Sequence, residues 1–155
     1  MSAKNTPNSS SSSAVEFDHF VRAQAPVYDN VLRELGAGSK SSHWMWFIFP
    51  QLRGLGRSPM SERYALDSLA QARRYSEHAL LGVRLCECTQ LVLDVRERTA
   101  EDIFGHPDWM KFRSSITLFS MCSQPDSVFT RAIDKYFAGR PDDRTLHLLD
   151  RRGVR

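Results

Sequence analysis

At 155 residues, 41% hydrophobic and 25% charged, the chain has the composition of a soluble globular protein and the length for one domain around one core. A net charge of +3 is too small to imply nucleic acid, three cysteines are too few for a disulfide framework, and no run reaches the roughly 18 apolar residues of a membrane span. With no apolar stretch behind Lys4 to act as a signal peptide, the expected compartment is the reducing cytoplasm.

Residues 1–13, MSAKNTPNSSSSS, have almost nothing to bury and cannot offset the entropy of ordering, so a disordered tail is expected. A single helical domain over 14–150 follows, and a short basic end, 151–155, closes the chain. FDHFVRAQ opens a short helix before Pro26. Tyr28, Val31, Leu32 and Leu35 share one face of the next, which Gly36 and Gly38 stop. Trp44 to Phe49, the longest apolar run, reads equally as buried strand or buried helix; helices on both sides and the lack of a partner strand favour helix. Ser58 caps a further helix and Pro59 begins it. Residues 59–77 form one helix or two, with Asp67-Ser68 as the break. Leu81, Leu85, Cys88, Val92 and Val95, stepping by four and three, mark an amphipathic helix. Thr99 and Asp102 resemble a capping box, before a short turn that ends at Gly105. Pro107 opens a helix striped by Trp109, Phe112, Ile116 and Phe119. Asp126 caps the one carrying Phe129, Ala132, Ile133, Tyr136 and Phe137, and DRTLHLL adds one turn. The sum is an all-α, compact single-domain bundle of about six to eight helices.

Candidate chemistry is sparse. Cys86 and Cys88, two apart on a helix, diverge and cannot chelate together, and the histidines form no pair at metal-ligand spacing, so no metal site is expected. Walker, nucleophile-elbow and Rossmann motifs are absent, and no cofactor is expected. Between Glu34 and Glu62 stand Lys40, Arg53 and Arg57 without a carboxylate. That field suits an anion, or is an ordinary solvated loop face. RGLGRS feeds the helix start at Ser58-Pro59, whose free N–H groups suit a phosphate or carboxylate and which is otherwise a plain cap. His43, at the polar edge of the aromatic run, is either an acid–base group or a partner of a backbone carbonyl. Gln51 either satisfies a turn or faces a ligand. Trp44 and Trp46 cannot both point into the core, so one covers surface or lines a pocket. Asp108, Lys111 and Ser115 share a flank of the Trp109 helix, with Asp108 and Lys111 at ion-pair spacing.

KSSHWMWFIFPQLRGLGRS and DWMKFRSSITLF, with FVRAQAPVYDNVLREL, RYALDSLAQARRY and LGVRLCECTQLVL, closely resemble the uncharacterised, mainly bacterial domain-of-unknown-function family 1810, from about Phe17 to Leu149. The resemblance implies a compact, mainly helical domain and carries no established activity, cofactor or catalytic residue. One departure is Trp109, which stands where the family commonly has an aspartate followed by a leucine-like residue; the position stays apolar. The label calpastatin, sometimes given to similar proteins, does not fit. Calpain inhibitors of that name are disordered repeat chains, whereas this chain has core stripes and no repeat.

Two functions stay open. One is the binding of an anionic, nucleotide-like or phosphorylated small ligand by His43, Trp46, Gln51, Arg53, Arg57, Lys111 and Ser115, with His43 available as general acid or base if the site is an enzyme. The other is a protein-interaction module without catalysis, in which an exposed tryptophan and the basic loop meet a partner. The most useful observation is positional: whether His43, Gln51 and Arg53 converge with Lys111 on one concave surface or diverge.

Overall fold

Local caps, more than long apolar stripes, divide this chain into its helices. The computed structural model describes residues 15–152; the tail expected over 1–13 and residues 153–155 of the basic end lie outside the described residues. Ten helices run through the described part. They are α1 Asp18–Gln24, α2 Tyr28–Gly36, α3 Met45–Ile48, α4 Pro59–Arg63, α5 Leu69–Glu77, α6 Leu81–Asp94, α7 Ala100–Phe104, α8 Asp108–Ser120, α9 Val128–Phe137 and α10 Asp143–Arg151. Among the described residues no strand forms, and the one extended pairing is an isolated parallel bridge between Leu52 and Leu66. No helix there is long and apolar enough to cross a membrane.

Ser58, Ser68, Thr99, Ser127 and Asp142 all have extended backbone, and the side chain of each accepts the N–H three residues on. They open α4, α5, α7, α9 and α10. Each cap satisfies a donor that the helix itself leaves unpaired, typically contributing about 1 kcal/mol. The capping box of Thr99 and Asp102 is present, and Ser68 marks the break between α4 and α5. The helix count exceeds the expected six to eight because α3, α4 and α7 are pieces of only four or five residues. Two local expectations are corrected. Ser127, not Asp126, caps α9, because its hydroxyl is the one that reaches the Thr130 N–H. DRTLHLL is no single turn but most of a nine-residue helix, started by Asp142.

Helices α6 and α8 form the centre. The first packs on α2, α5 and α9, the second on α3, α5, α7, α9 and α10, so α9 joins the two. Leu81, Leu85, Cys88 and Val92 on α6, and Phe112, Ile116 and Phe119 on α8, are buried as their spacing predicts, while Val95, expected on the same stripe, falls just past the end of α6 and, like Trp109, is half-buried. The HWMWFIF run crosses this interior. Trp44, Met45, Phe47, Ile48 and Phe49 are buried, and Phe49 meets Phe104 and Phe112 edge-on at 5.8 and 5.1 Å between ring centres. Trp46 is only half-buried, so one of the two neighbouring tryptophans enters the core.

What seats this run is Glu34, in the last turn of α2. Its carboxylate is buried, with no ion pair among the described residues, and five donors close on it. Oε1 accepts from the N–H groups of Ser41 and Ser42 at 2.8 and 3.1 Å and from the Trp44 indole at 2.9 Å. Oε2 accepts from Asn30 Nδ2 at 2.6 Å and Ser42 Oγ at 2.5 Å. Burial alone would raise its pKa, but the bonds from Ser42, Ser41 and Trp44 outweigh that and hold it at about 2. A folded pKa below the unfolded value of 4.5 gives stability that is full above that value and is lost as pH falls toward 2. Its size is on the order of 3 kcal/mol. Urea unfolding measured between neutral pH and the folded pKa of about 2 will show this acid loss. Glu34→Gln, which puts an NH2 against two of those donors, will start less stable and show a shallower loss. An unchanged acid slope in the variant would refute the assignment.

Candidate functional site

Two lysines and two tryptophans meet around one carboxylate. Asp108 opens α8 and pairs with Lys40 at 2.8 Å and with Lys111, on its own helix, at 3.4 Å. Lys40 lies over the Trp44 ring and Lys111 over the Trp46 ring, at 5.0 and 5.2 Å from the ring centres. Lys40 also donates to the Ser42 carbonyl at 2.6 Å, tying this cluster to the loop that Glu34 organises. The Lys40 side chain is only 8% exposed, and those of Lys111 and Asp108 are 22% and 20% exposed. Two cations on one carboxylate leave an excess positive charge, which the indole faces stabilise.

Lys111 also walls a cleft of about 140 Å³ between α8, the loop after Pro50 and the start of α10; Gln51, Leu55, Ser114, Asp142 and Arg144 help to line it. The Asp142 carboxylate is already engaged, its Oδ2 accepting from Ser114 Oγ at 3.2 Å and from Thr145 N and Oγ1 at 2.9 and 2.6 Å. Gln51 spends its backbone carbonyl on the Leu66 N–H at 2.9 Å, while its carboxamide makes no hydrogen bond to the described residues. Arg144 donates to the Leu55 carbonyl at 3.3 Å. It also lines an adjoining cavity of about 440 Å³ with Gly54, Asp143, His147 and Leu148.

Of the residues expected at the site, Gln51 and Lys111 line this cleft. Trp46 lies beneath Lys111, and Ser115, one turn along α8, is fully buried. The Trp46 indole N–H and the Ser115 hydroxyl are both buried without a hydrogen-bonding partner among the described residues. Arg57 follows Gly56, which lines the cleft, and its side chain is exposed. His43 and Arg53 do not line it. His43 is exposed just before Trp44, and Arg53 is held by Asp67 at 2.5 Å and Glu62 at 2.7 Å. The segment that looks free of acids is therefore partly neutralised from outside itself, by Glu62 and Asp67 at Arg53 and by Asp108 at Lys40. The helix start at Ser58-Pro59 is a plain cap. Its helix has five residues, Ser58 takes the Ser61 N–H, and proline offers none. The sequence reading missed Ser114, Asp142 and Arg144. Asp142 with Thr145 three residues on is a cap spacing that could have placed Arg144 in a first helical turn; nothing local signals its approach to Gln51.

A protein-family model described as "Protein of unknown function (DUF1810)" matches residues 14–149. The chain is also similar to a solved structure, the conserved hypothetical protein Rv1873 from Mycobacterium tuberculosis. The two are 51% identical, with a TM-score of 0.85, over 87% of this chain and 96% of that one. No curated protein matches.

The orphaned Ser115 hydroxyl makes a sign prediction. A buried polar group without a partner carries a penalty of roughly 1–3 kcal/mol, so Ser115→Ala will leave stability to urea unchanged or raise it. A loss above about 1 kcal/mol would show that the hydroxyl is satisfied in the native protein.

Proposed function

The chain belongs to the DUF1810 family of proteins of unknown function, and we propose that it binds a small phosphorylated or carboxylated molecule in the cleft between α8, the loop after Pro50 and α10. One observation carries the reading. Lys111, Arg144 and the uncommitted Gln51 carboxamide converge on one cleft, whose lining carboxylate, Asp142, is already engaged by three hydrogen bonds. An anion there would gain charge-assisted bonds from both cations and a neutral donor from Gln51. Arg57, next to Gly56, adds charge at the rim. Trp46 backs Lys111 from behind the cleft, and Ser115 lies buried one turn along α8 without lining it.

Size refines the ligand class. A cleft of about 140 Å³ accepts an anionic head group and little more, well below the roughly 300 Å³ at which pockets for drug-sized molecules begin. A larger ligand would extend past Arg144 into the cavity of about 440 Å³ beside Gly54, His147 and Leu148. A phosphate with a modest organic part fits this division, and a free anion would fill only the first chamber. The reading is one of binding. His43, the acid–base candidate of the sequence, does not line the cleft.

Titration of the 15N-labelled protein with inorganic phosphate, glycerol phosphate and AMP tests this. Resonances of the Gln51 carboxamide, Lys111 and Arg144 will move, and organic phosphates will add shifts at Gly54 and His147. Lys111→Gln will weaken binding about tenfold or more, while Arg53→Gln and His43→Ala leave it unchanged. Absence of any shift at tens of millimolar ligand, or equal binding by Lys111→Gln, would sink the proposal.

A further inference from the structure

On the other flank of α8 the chain builds a second recess with the opposite chemistry. Trp109 of α8 and Tyr136 and Phe137 of α9 enclose about 220 Å³ with Thr99, Ala100 and Glu101 of α7. The three rings are fixed in place. The Trp109 indole N–H donates to His106 Nδ1 at 3.2 Å, and the Tyr136 hydroxyl donates to the Val92 carbonyl. Trp109 and Phe137 stack with their planes 26° apart and their centres at 6.3 Å. Two of these rings already carry a cation, Arg113 over Phe137 at 5.0 Å and Lys135 over Tyr136 at 5.1 Å. Neither cation lines the recess, and both are anchored elsewhere, Arg113 on the Arg140 carbonyl and Lys135 on the carbonyls of Leu93 and Val95. Trp109, the ring type that binds cations best, carries no cation among the described residues.

The charged group at this recess is Glu101. Thr99 and Asp102 are consumed by the capping box of α7, whereas the Glu101 carboxylate is exposed and makes no hydrogen bond or ion pair to the described residues. Aromatic faces carry negative potential, and a carboxylate beside them adds to it. Apolar walls also favour a cation that sheds its water cheaply, which a methylated ammonium does and a bare ammonium does not.

We propose that the recess of Trp109, Tyr136, Phe137 and Glu101 binds a small molecule bearing a quaternary or methylated ammonium group. The head group lies against the Trp109 face, and Glu101 supplies the counter-charge at the rim. The site is separate from the phosphate cleft and selects the opposite charge, so either can fail without the other.

Choline and its neutral isostere 3,3-dimethylbutan-1-ol are titrated into the full chain in parallel, read at the Trp109 indole N–H by NMR. Choline will shift that resonance saturably, and the isostere will bind at least about fivefold more weakly. Trp109→Leu will remove the response at the neighbouring Tyr136 and Phe137 resonances. Glu101→Gln, at an exposed position that leaves the fold intact, will weaken choline a few-fold and flatten its dependence on salt. Equal binding of choline and the isostere would reduce the recess to an ordinary apolar pocket and overturn the proposal. So would an unmoved Trp109 signal at tens of millimolar choline, or choline binding unaltered in both variants.

Discussion

The course of the chain into the first candidate site depends on a buried carboxylate that has no cation among the described residues. Glu34 gathers Ser41, Ser42, Trp44 and Asn30 by hydrogen bonds alone. A charge in the interior survives only when its lone pairs are met this fully. In meeting them the chain is forced into one course: it leaves α2, folds over the Glu34 side chain and delivers Trp44 into the core with its indole N–H satisfied. From there the single turn of α3 brings Phe49 against Phe104 and Phe112, and Pro50 ends it. Gln51 thus reaches the cleft from a fixed origin. Its backbone carbonyl takes the Leu66 N–H while Arg53 donates to the Leu66 carbonyl at 2.7 Å, which holds that course on the far side.

The HWMWF run divides its labour by a difference of two residues. Trp44 is interior and bonded to Glu34; Trp46 lies at the edge with Lys111 across its face. Each tryptophan carries a lysine, and the two lysines share Asp108. Such an arrangement keeps two partly buried ammonium groups tolerable with one carboxylate, because an indole face offers negative potential without a charge of its own. Lys111, the more distant of the two from Asp108, also lines the cleft.

Much of the fold was legible because its signals are local. Ser58-Pro59, the Thr99 and Asp102 box, and the α6 and α8 stripes each act within a few residues, and each appears where the spacing placed it except at the stripe ends, Val95 and Trp109, which are half-buried. Trp44 and Trp46 were legible as a pair of which one must stay near the surface. The candidate site was less so. Lys40, Arg53 and Arg57 look like an unopposed cluster because carboxylates are counted along the chain, whereas Glu62, Asp67 and Asp108 neutralise two of them through space. Glu34, read in the sequence only as the boundary of the acid-free stretch, organises that stretch. Arg144 comes from the far end of the chain, and no periodicity reports that α10 lies beside the loop after Pro50.

The first turns of α8 tie these features together. Lys111 and Trp109 are two residues apart, so at about 100° per residue they leave the helix on opposite flanks. Phe112 holds the axis between them, touching Phe49 and Phe104 toward one flank and Tyr136 and Phe137 toward the other. One flank therefore presents ammonium, guanidinium and carboxamide groups around a small cleft, and the other presents aromatic faces with one free carboxylate. The contrast follows from what each flank packs against. The cleft adjoins the capped start of α10, where Asp142 directs Oδ2 to the Thr145 N–H and hydroxyl, and two cations, Lys111 and Arg144, line the cleft beside this one carboxylate. The recess adjoins the capping box of α7, which uses Asp102, while the Glu101 carboxylate has no partner among the described residues. In both places a helix cap takes up the hydrogen-bonding capacity of one carboxylate, and the polar groups left to face the opening come from residues that the cap does not use.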